Sequence, residues 1–288
     1  MPTNTDITEA YFGSTYVQEL YLGSTRIWPL GTLGLASASN YILALRSNGT
    51  PVWTSLPANY PQLNTIPEIT RGNTTMVSMG ERHAMALLKN KTVVCWGANT
   101  QGQINTPANL TNVREVYAAG LASYAILENG TVRHWGTYAS GAGNVPSGLT
   151  DVVGLAADVN GGSGSHVVAI KSDGTVVVWG SNNSFGQLNV PAGLNRVVKA
   201  ASVYYGSVAL QDDGTVVKWG FQNMYAPIPS SVSPVDLVDI AMPTQYALYV
   251  LRLNGDVELN NSVIATGAVA IAPSGRAYMK QDGTTYLT

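Results

Sequence analysis

Apolar positions in this chain fall in short runs, each interrupted by a polar pair and a turn. The clearest form reads apolar pair, two or three polar residues, Asn or Asp, Gly, Thr, then a β-branched run ending in Trp-Gly. It begins at residues 44–50 (ALRSNGT) and returns at 86–97 (ALLKNKTVVCWG), 125–136 (AILENGTVRHWG), 169–180 (AIKSDGTVVVWG) and 209–220 (ALQDDGTVVKWG). Two decayed copies follow at 250–260 (VLRLNGDVELN) and 278–288 (YMKQDGTTYLT). The turn residues stand at 49, 91, 130, 174, 214, 255 and 283, with Lys91 where glycine is expected, so the spacings are 42, 39, 44, 40, 41 and 28. A period near 40 marks a repeat architecture with one supersecondary unit per copy.

Asn-Gly or Asp-Gly between two alternating runs is a strong hairpin signal, because a type I′ turn needs positive φ at both central residues. Each copy therefore predicts a strand b (165–171 in the fourth) paired with a strand c (175–179). A further apolar run upstream supplies strand a: 113–119, 152–156, 197–201, 237–242 and 268–272. One three-stranded antiparallel sheet cannot bury both its faces, whereas about seven stacked around an axis can. The expected fold is all-β, a seven-bladed β-propeller over 31–288 with about three antiparallel strands per blade, preceded by a short β-rich extension over 1–30. Trp53, Trp96, Trp135, Trp179 and Trp219 occupy one equivalent position, which predicts packing of blade on blade. If every copy carries its own three strands, the ring closes without a strand from the N-terminal segment.

Composition agrees with short strands and many turns. Charged residues are 11% of the 288, against about 25% in an average domain, and 30 residues are glycine. A net charge of −2 with no basic arm offers no footprint for phosphates, which argues against nucleic acid as a partner. The single cysteine, Cys95, can form neither an internal disulfide nor a thiolate metal site and is read as a small buried side chain. No apolar stretch approaches membrane-spanning length and the first residues lack a signal-peptide pattern. A protein made in the cytoplasm, without membrane insertion, is therefore expected.

The phrase ALxxDGTVxxWG, followed by Gly102-Gln103 with Pro107 and by Gly186-Gln187 with Pro191, resembles the repeat of the regulator of chromosome condensation family of seven-bladed β-propellers. The short period is more similar to its compact branch, typified by β-lactamase-inhibitory propeller proteins with three-stranded blades. That resemblance covers 31–288 and implies a fold; propellers host unrelated activities. Residues 1–30 are of another kind. Tyr11-Phe12-Gly13-Ser14-Thr15 is echoed by Tyr21-Leu22-Gly23-Ser24-Thr25, and Ile27-Trp28 closes the second copy. The motif resembles short β-repeats of structural proteins of tailed bacteriophages. Tyr11, Phe12, Tyr21, Leu22, Ile27 and Trp28 are accordingly the candidate virion-attachment residues, since the segment is too apolar for a free tail and too short to fold alone.

Catalytic constellations are not legible in the chain. Asp173, Asp213 and Asp282 are hairpin-turn residues. His83 and His166 stand at equivalent places eight residues before the turn marker and His134 lies in a strand c, so no metal motif is shared and no cofactor is expected. Residues 161–164 (GGSG) open no helix, so they are read as a loop insertion rather than a phosphate cradle. What remains is surface. The a–b loops and the exits of strand c share one face, which collects Asn40, Tyr41, Glu81, Arg82, His83, Tyr138, Phe185, Tyr204, Tyr205, Phe221, Tyr225 and Tyr246. Tyrosine and asparagine on loops over a rigid scaffold are the ingredients of a recognition surface. The expected function is non-enzymatic: a tail or tail-fibre component of a phage particle, located in the virion. Residues 1–30 would bind other virion proteins, and the propeller face would bind a host-surface protein or glycan; the oligomeric state is left open. The alternatives are a soluble enzyme inhibitor or another protein-binding propeller.

Overall fold

The computed structural model describes residues 20–22, 25–28, 32–38, 41–55, 60–137, 144–158, 165–180, 182–221, 237–244, 246–272, 277–280 and 285–287. The first elements are a hairpin of β1 (Leu20–Leu22) and β2 (Thr25–Trp28), which pair only with each other. Seven antiparallel sheets follow among the described residues. They are β3 (Thr32–Ala38), β4 (Tyr41–Arg46) and β5 (Pro51–Ser55); β6 (Thr74–Met79), β7 (His83–Leu88) and β8 (Val93–Gly97); and β9 (Val113–Ala119), β10 (Ala122–Leu127) and β11 (Val132–Gly136). Next come β12 (Val152–Ala157), β13 (Val167–Lys171) and β14 (Val176–Trp179), then β15 (Val197–Val203), β16 (Gly206–Gln211) and β17 (Val216–Gly220). The sixth is β18 (Leu237–Thr244), β19 (Ala247–Arg252), β20 (Val257–Leu259) and β21 (Ser262–Ala265), and the last is β22 (Ala268–Ile271), β23 (Ala277–Lys280) and β24 (Thr285–Leu287). The first strand of each sheet touches the first strand of the next, and β22 returns to β3, so the ring closes. The last sheet uses one contiguous stretch of chain, as expected, and takes no strand from the N-terminal hairpin.

Several expected strands differ in detail: β13 and β14 start two and one residues later than expected, β12 runs one residue further and β22 ends one residue short. The sixth sheet has four strands where three were expected, because Asn260 and Asn261 both take positive φ (49° and 71°) and turn the chain back into β21. That is the type I′ signature. The a strands β15 and β18 also run two residues further than expected.

The turns repeat one device. In Asn48, Asn90, Asn129, Asp173, Asp213 and Asn254 the side-chain oxygen Oδ1 accepts the backbone N–H two residues on, at 2.9–3.2 Å. Such Asx bonds hold the turn while the next residue takes a left-handed conformation. Gly49, Gly130, Gly174, Gly214 and Gly255 do so at φ 75–87°, and Lys91 does so at 63°. Asp282 lies outside the described residues.

Each sheet is buried against its neighbour. Trp135 packs on Met85 and Leu87 of the preceding sheet, Trp179 on Tyr124 and Ile126, and Trp219 on Val168 and Ile170. The indole N–H of Trp96 donates to Leu63 O at 3.2 Å and that of Trp219 to Gln187 O at 3.0 Å, each in the loop leading into its own sheet. Leu63 sits on a 3₁₀ turn, Pro61–Leu63, followed by a second at Glu68–Thr70. No helix among the described residues is long and apolar enough to cross a membrane.

Candidate functional site

Two sheets meet the solvent through aromatic loops at one end of the ring. Phe185, on the loop after β14, stands 4.6 Å from Tyr205 and 5.0 Å from Phe221 between ring centres, the second pair edge to face. Such arrangements suit the ring quadrupoles. Phe185 remains 41% exposed, and Tyr204, Tyr205 and Phe221 are half-buried around it. The loop carrying Phe185 is fixed from inside, because buried Gln187 accepts the Phe185 N–H through Oε1 at 3.0 Å.

Under the patch the polar groups are set by the backbone. Tyr204 takes φ +42°, a left-handed conformation costly for a residue with a side chain. Asp158 Oδ2 accepts its N–H at 3.1 Å, and its carbonyl faces His166 Nδ1 at 3.3 Å. A carbonyl only accepts, so Nδ1 carries the imidazole proton and Nε2 accepts from Ser207 Oγ at 2.5 Å. Ser165 also donates to Asp158 Oδ2, at 3.3 Å. Asp158, Ser165, His166 and Ser207 are all buried. Ser207 is thus a tie between neighbouring sheets.

The second sheet carries another cluster at the same end. Tyr60 Oη donates to Glu81 Oε1 at 3.2 Å, Arg82 reaches the same oxygen at 3.3 Å, and its guanidinium lies 5.5 Å over the Tyr60 ring. The Glu81 carboxylate pushes the Arg82 pKa up.

Of the residues expected on this face, Phe185, Tyr204, Tyr205 and Phe221 are brought together, and Arg82 and Tyr246 are exposed on other blades. His83 is a correction. As the first residue of β7 it points between sheets and is fully buried, with Nε2 2.9 Å from Ser123 Oγ. Ser123 gives its one proton to Gln103 O at 2.8 Å, so His83 Nε2 is the donor. Burial holds its pKa down at about 4. Tyr41 lies in β4, Tyr21 and Leu22 in β1, and Ile27 and Trp28 in β2. Tyr11, Phe12, Asn40, Tyr138, Tyr225 and the 161–164 loop lie outside the described residues.

Sequence reasoning missed Tyr60 and Asp158. It also missed Ser123 and Ser207 as partners, although each follows its histidine by one repeat and one residue, 40 and 41 residues on. Among the described residues no group of three or more His, Cys, Asp or Glu could hold a metal ion. Burial pushes the Cys95 thiol up to about 11, with Thr106 donating to its Sγ at 3.4 Å. The opposite end of the ring carries the Asx turns and a recess of about 400 Å³ lined by Pro107, Asn112, Glu128 and Arg133.

The family model for the regulator of chromosome condensation (RCC1) repeat matches residues 77–103 and 156–187. No curated protein sequence matches the chain. Among solved structures, the ectodomain of the Physcomitrella patens receptor kinase CR4 is 20% identical, with a TM-score of 0.61 over 80% of this chain and 61% of that one. Human WBSCR16 is 16% identical, with a TM-score of 0.56 over 92% and 84%. Prp20p from Saccharomyces cerevisiae, studied for binding to Gsp1p and histones, is 17% identical, with a TM-score of 0.52 over 68% and 59%. The chain thus spans about three fifths of the length of Prp20p and of the CR4 ectodomain. The repeat matches at 77–103 and 156–187 fall where the Trp-Gly hairpins build the ring, and the chain is an RCC1-like β-propeller.

Proposed function

We propose that this propeller is a protein-binding module whose contact surface is centred on Phe185, Tyr205 and Phe221. The observation that carries the reading is the exposed aromatic cluster held over a buried Asp158–His166–Ser207 network. Aromatic anchors positioned by rigid supports are what interfaces concentrate their energy in. The yeast relative Prp20p is described with protein partners, Gsp1p, histones and Kap60, which supports a binding role for the scaffold without naming the partner here.

The finer reading is that the protein is a non-enzymatic component of a phage particle, of the tail or its fibres. Residues 1–30 would attach it to other virion proteins, leaving the aromatic end to meet a host-surface molecule. The paired Tyr-x-Gly-Ser-Thr motif supports this, and Tyr21, Leu22 and Thr25 of its second copy lie in the paired strands β1 and β2. Two assays separate the parts. A chain lacking residues 1–30 should fail to enter particles; assembly equal to that of the full chain refutes the anchor. A F185S/F221S chain should assemble and keep its melting curve but lose attachment, and unchanged attachment refutes the aromatic face.

A further inference from the structure

The inner strands leave a cavity of about 170 Å³ on the axis of the ring, lined from β3, β6, β9, β12, β15 and β18. Small residues create it: Ala118, Gly154, Ala157 and Ala201 stand where larger side chains would fill the space. Larger apolar groups, among them Leu155 and Met242, complete an apolar wall.

The polar lining can be accounted for in full. Ser78 Oγ accepts Ala118 N–H at 2.8 Å, and the Tyr117 hydroxyl bonds Glu115. Asp158 is bonded to Ser165 and Tyr204, and Lys199 pairs with Asp239 at 3.0 Å. The fifth group, Ser202 Oγ, has no partner although the residue is 93% buried, being 7% exposed. At the matching register of the three preceding sheets stand Met79, Ala118 and Ala157, all apolar. The first sheet carries a serine, Ser37, at that level, but Ser202 is the one whose hydroxyl is buried without a partner among the described residues lining the cavity, and such a group calls for an explanation.

We infer that this axial cavity binds a small neutral molecule, apolar over most of its surface and carrying one hydroxyl or carbonyl that pairs with Ser202 Oγ. The size fits: a cavity of about 150 Å³ lined by aliphatic side chains accepts benzene. Charge is excluded from the occupant because the acid and the base in the wall already have partners. Water alone fits poorly, since a buried water wants about three hydrogen bonds and the wall offers one unmet group.

Phenol and toluene are the probes. In calorimetric titration of the full chain both should saturate. Ser202→Ala, which removes the orphaned hydroxyl and leaves the fold undisturbed, should weaken phenol about five- to tenfold, the effect of one neutral hydrogen bond, and toluene less than twofold. No saturable binding of either probe, or a phenol affinity indifferent to the substitution, overturns the proposal. A crystal structure of the unmutated protein with phenol supplies a readout independent of any variant. A hydroxyl against Ser202 Oγ supports the site, and a cavity holding only water overturns it.

Discussion

Replacing His83 by glutamine tests how the ring is held together. Burial keeps the His83 imidazole neutral down to about pH 4, against 6.5 for a free one. The folded chain therefore resists a proton that the unfolded chain accepts. Above pH 6.5 both states are neutral and the residue adds no pH dependence. As pH falls from 6.5 to 4 the unfolded chain gains the proton first, and stability drops. The gap corresponds to about 3 kcal/mol at its full extent, and about 2 kcal/mol is lost by pH 5.

Glutamine cannot titrate, and its amide can still donate to Ser123 Oγ. Urea unfolding followed by tryptophan fluorescence at pH 7.5, 6 and 5 gives the stability of both chains. The advantage of the unmutated protein over His83→Gln should shrink by about 2 kcal/mol between pH 7.5 and 5. Taking the difference cancels the other titrating groups. A difference that stays constant with pH means that His83 titrates as an exposed imidazole, and the reading of it as a buried tie between β7 and β10 fails.

Other expectations are cheaper to check. At Gly220, with φ +94°, a Cβ would stand 2.3 Å from Tyr205 O, so Gly220→Ala should lower stability by more than ~3 kcal/mol. Gly193, with φ +80° and nothing within 4 Å of its Cβ position, should cost only about 1 kcal/mol as Gly193→Ala; equal urea midpoints for the two variants contradict the close approach. Lys91→Gly relieves a left-handed lysine and should raise stability by about 0.5–1 kcal/mol, a gain visible in the melting temperature. With its thiol near 11, Cys95 is about 0.1% thiolate at pH 8. Reaction with a disulfide reagent should be slow in the native protein and fast in urea, and rapid native labelling would show the thiol to be exposed.

The repeat made the ring legible because its signals are local. An Asn-Gly-Thr turn fixes a hairpin by its own φ angles and Asx bond, and β9 falls on 113–119 as the apolar run alone required. The sixth sheet was harder, because its copy lacks the Trp-Gly end. Its extra strand β21 was nevertheless written in Asn260-Asn261 followed by Ser-Val-Ile-Ala, a signal masked by the expectation of three strands.

Residues of the site are legible to a different degree. Tyr205 and Phe221 could be placed from the topology, since an a–b turn and a strand c exit must share an end. Their contact with Phe185 could not, because it depends on how far two neighbouring sheets approach. The same limit misplaced His83: proximity to a loop suggested the surface, whereas the inward turn of the first residue of β7 was decided by pairing with Ser123, 40 residues away. The repeat itself held the correction. A histidine and, one period and one residue later, a serine recur in two places, and two polar residues one level apart on adjacent blades are more economically explained as partners across the interface than as separate surface groups. Their tautomers differ, because Ser123 spends its proton on Gln103 O whereas His166 spends its own on Tyr204 O. One inherited tie is thus turned in opposite senses, and only the second is coupled to the strained Tyr204 under the aromatic face. Ser207→Ala should therefore disturb Tyr204 and binding by the face, while Ser123→Ala should cost stability and leave binding unchanged. Equal losses of binding in the two variants would mean that the network acts through global stability alone.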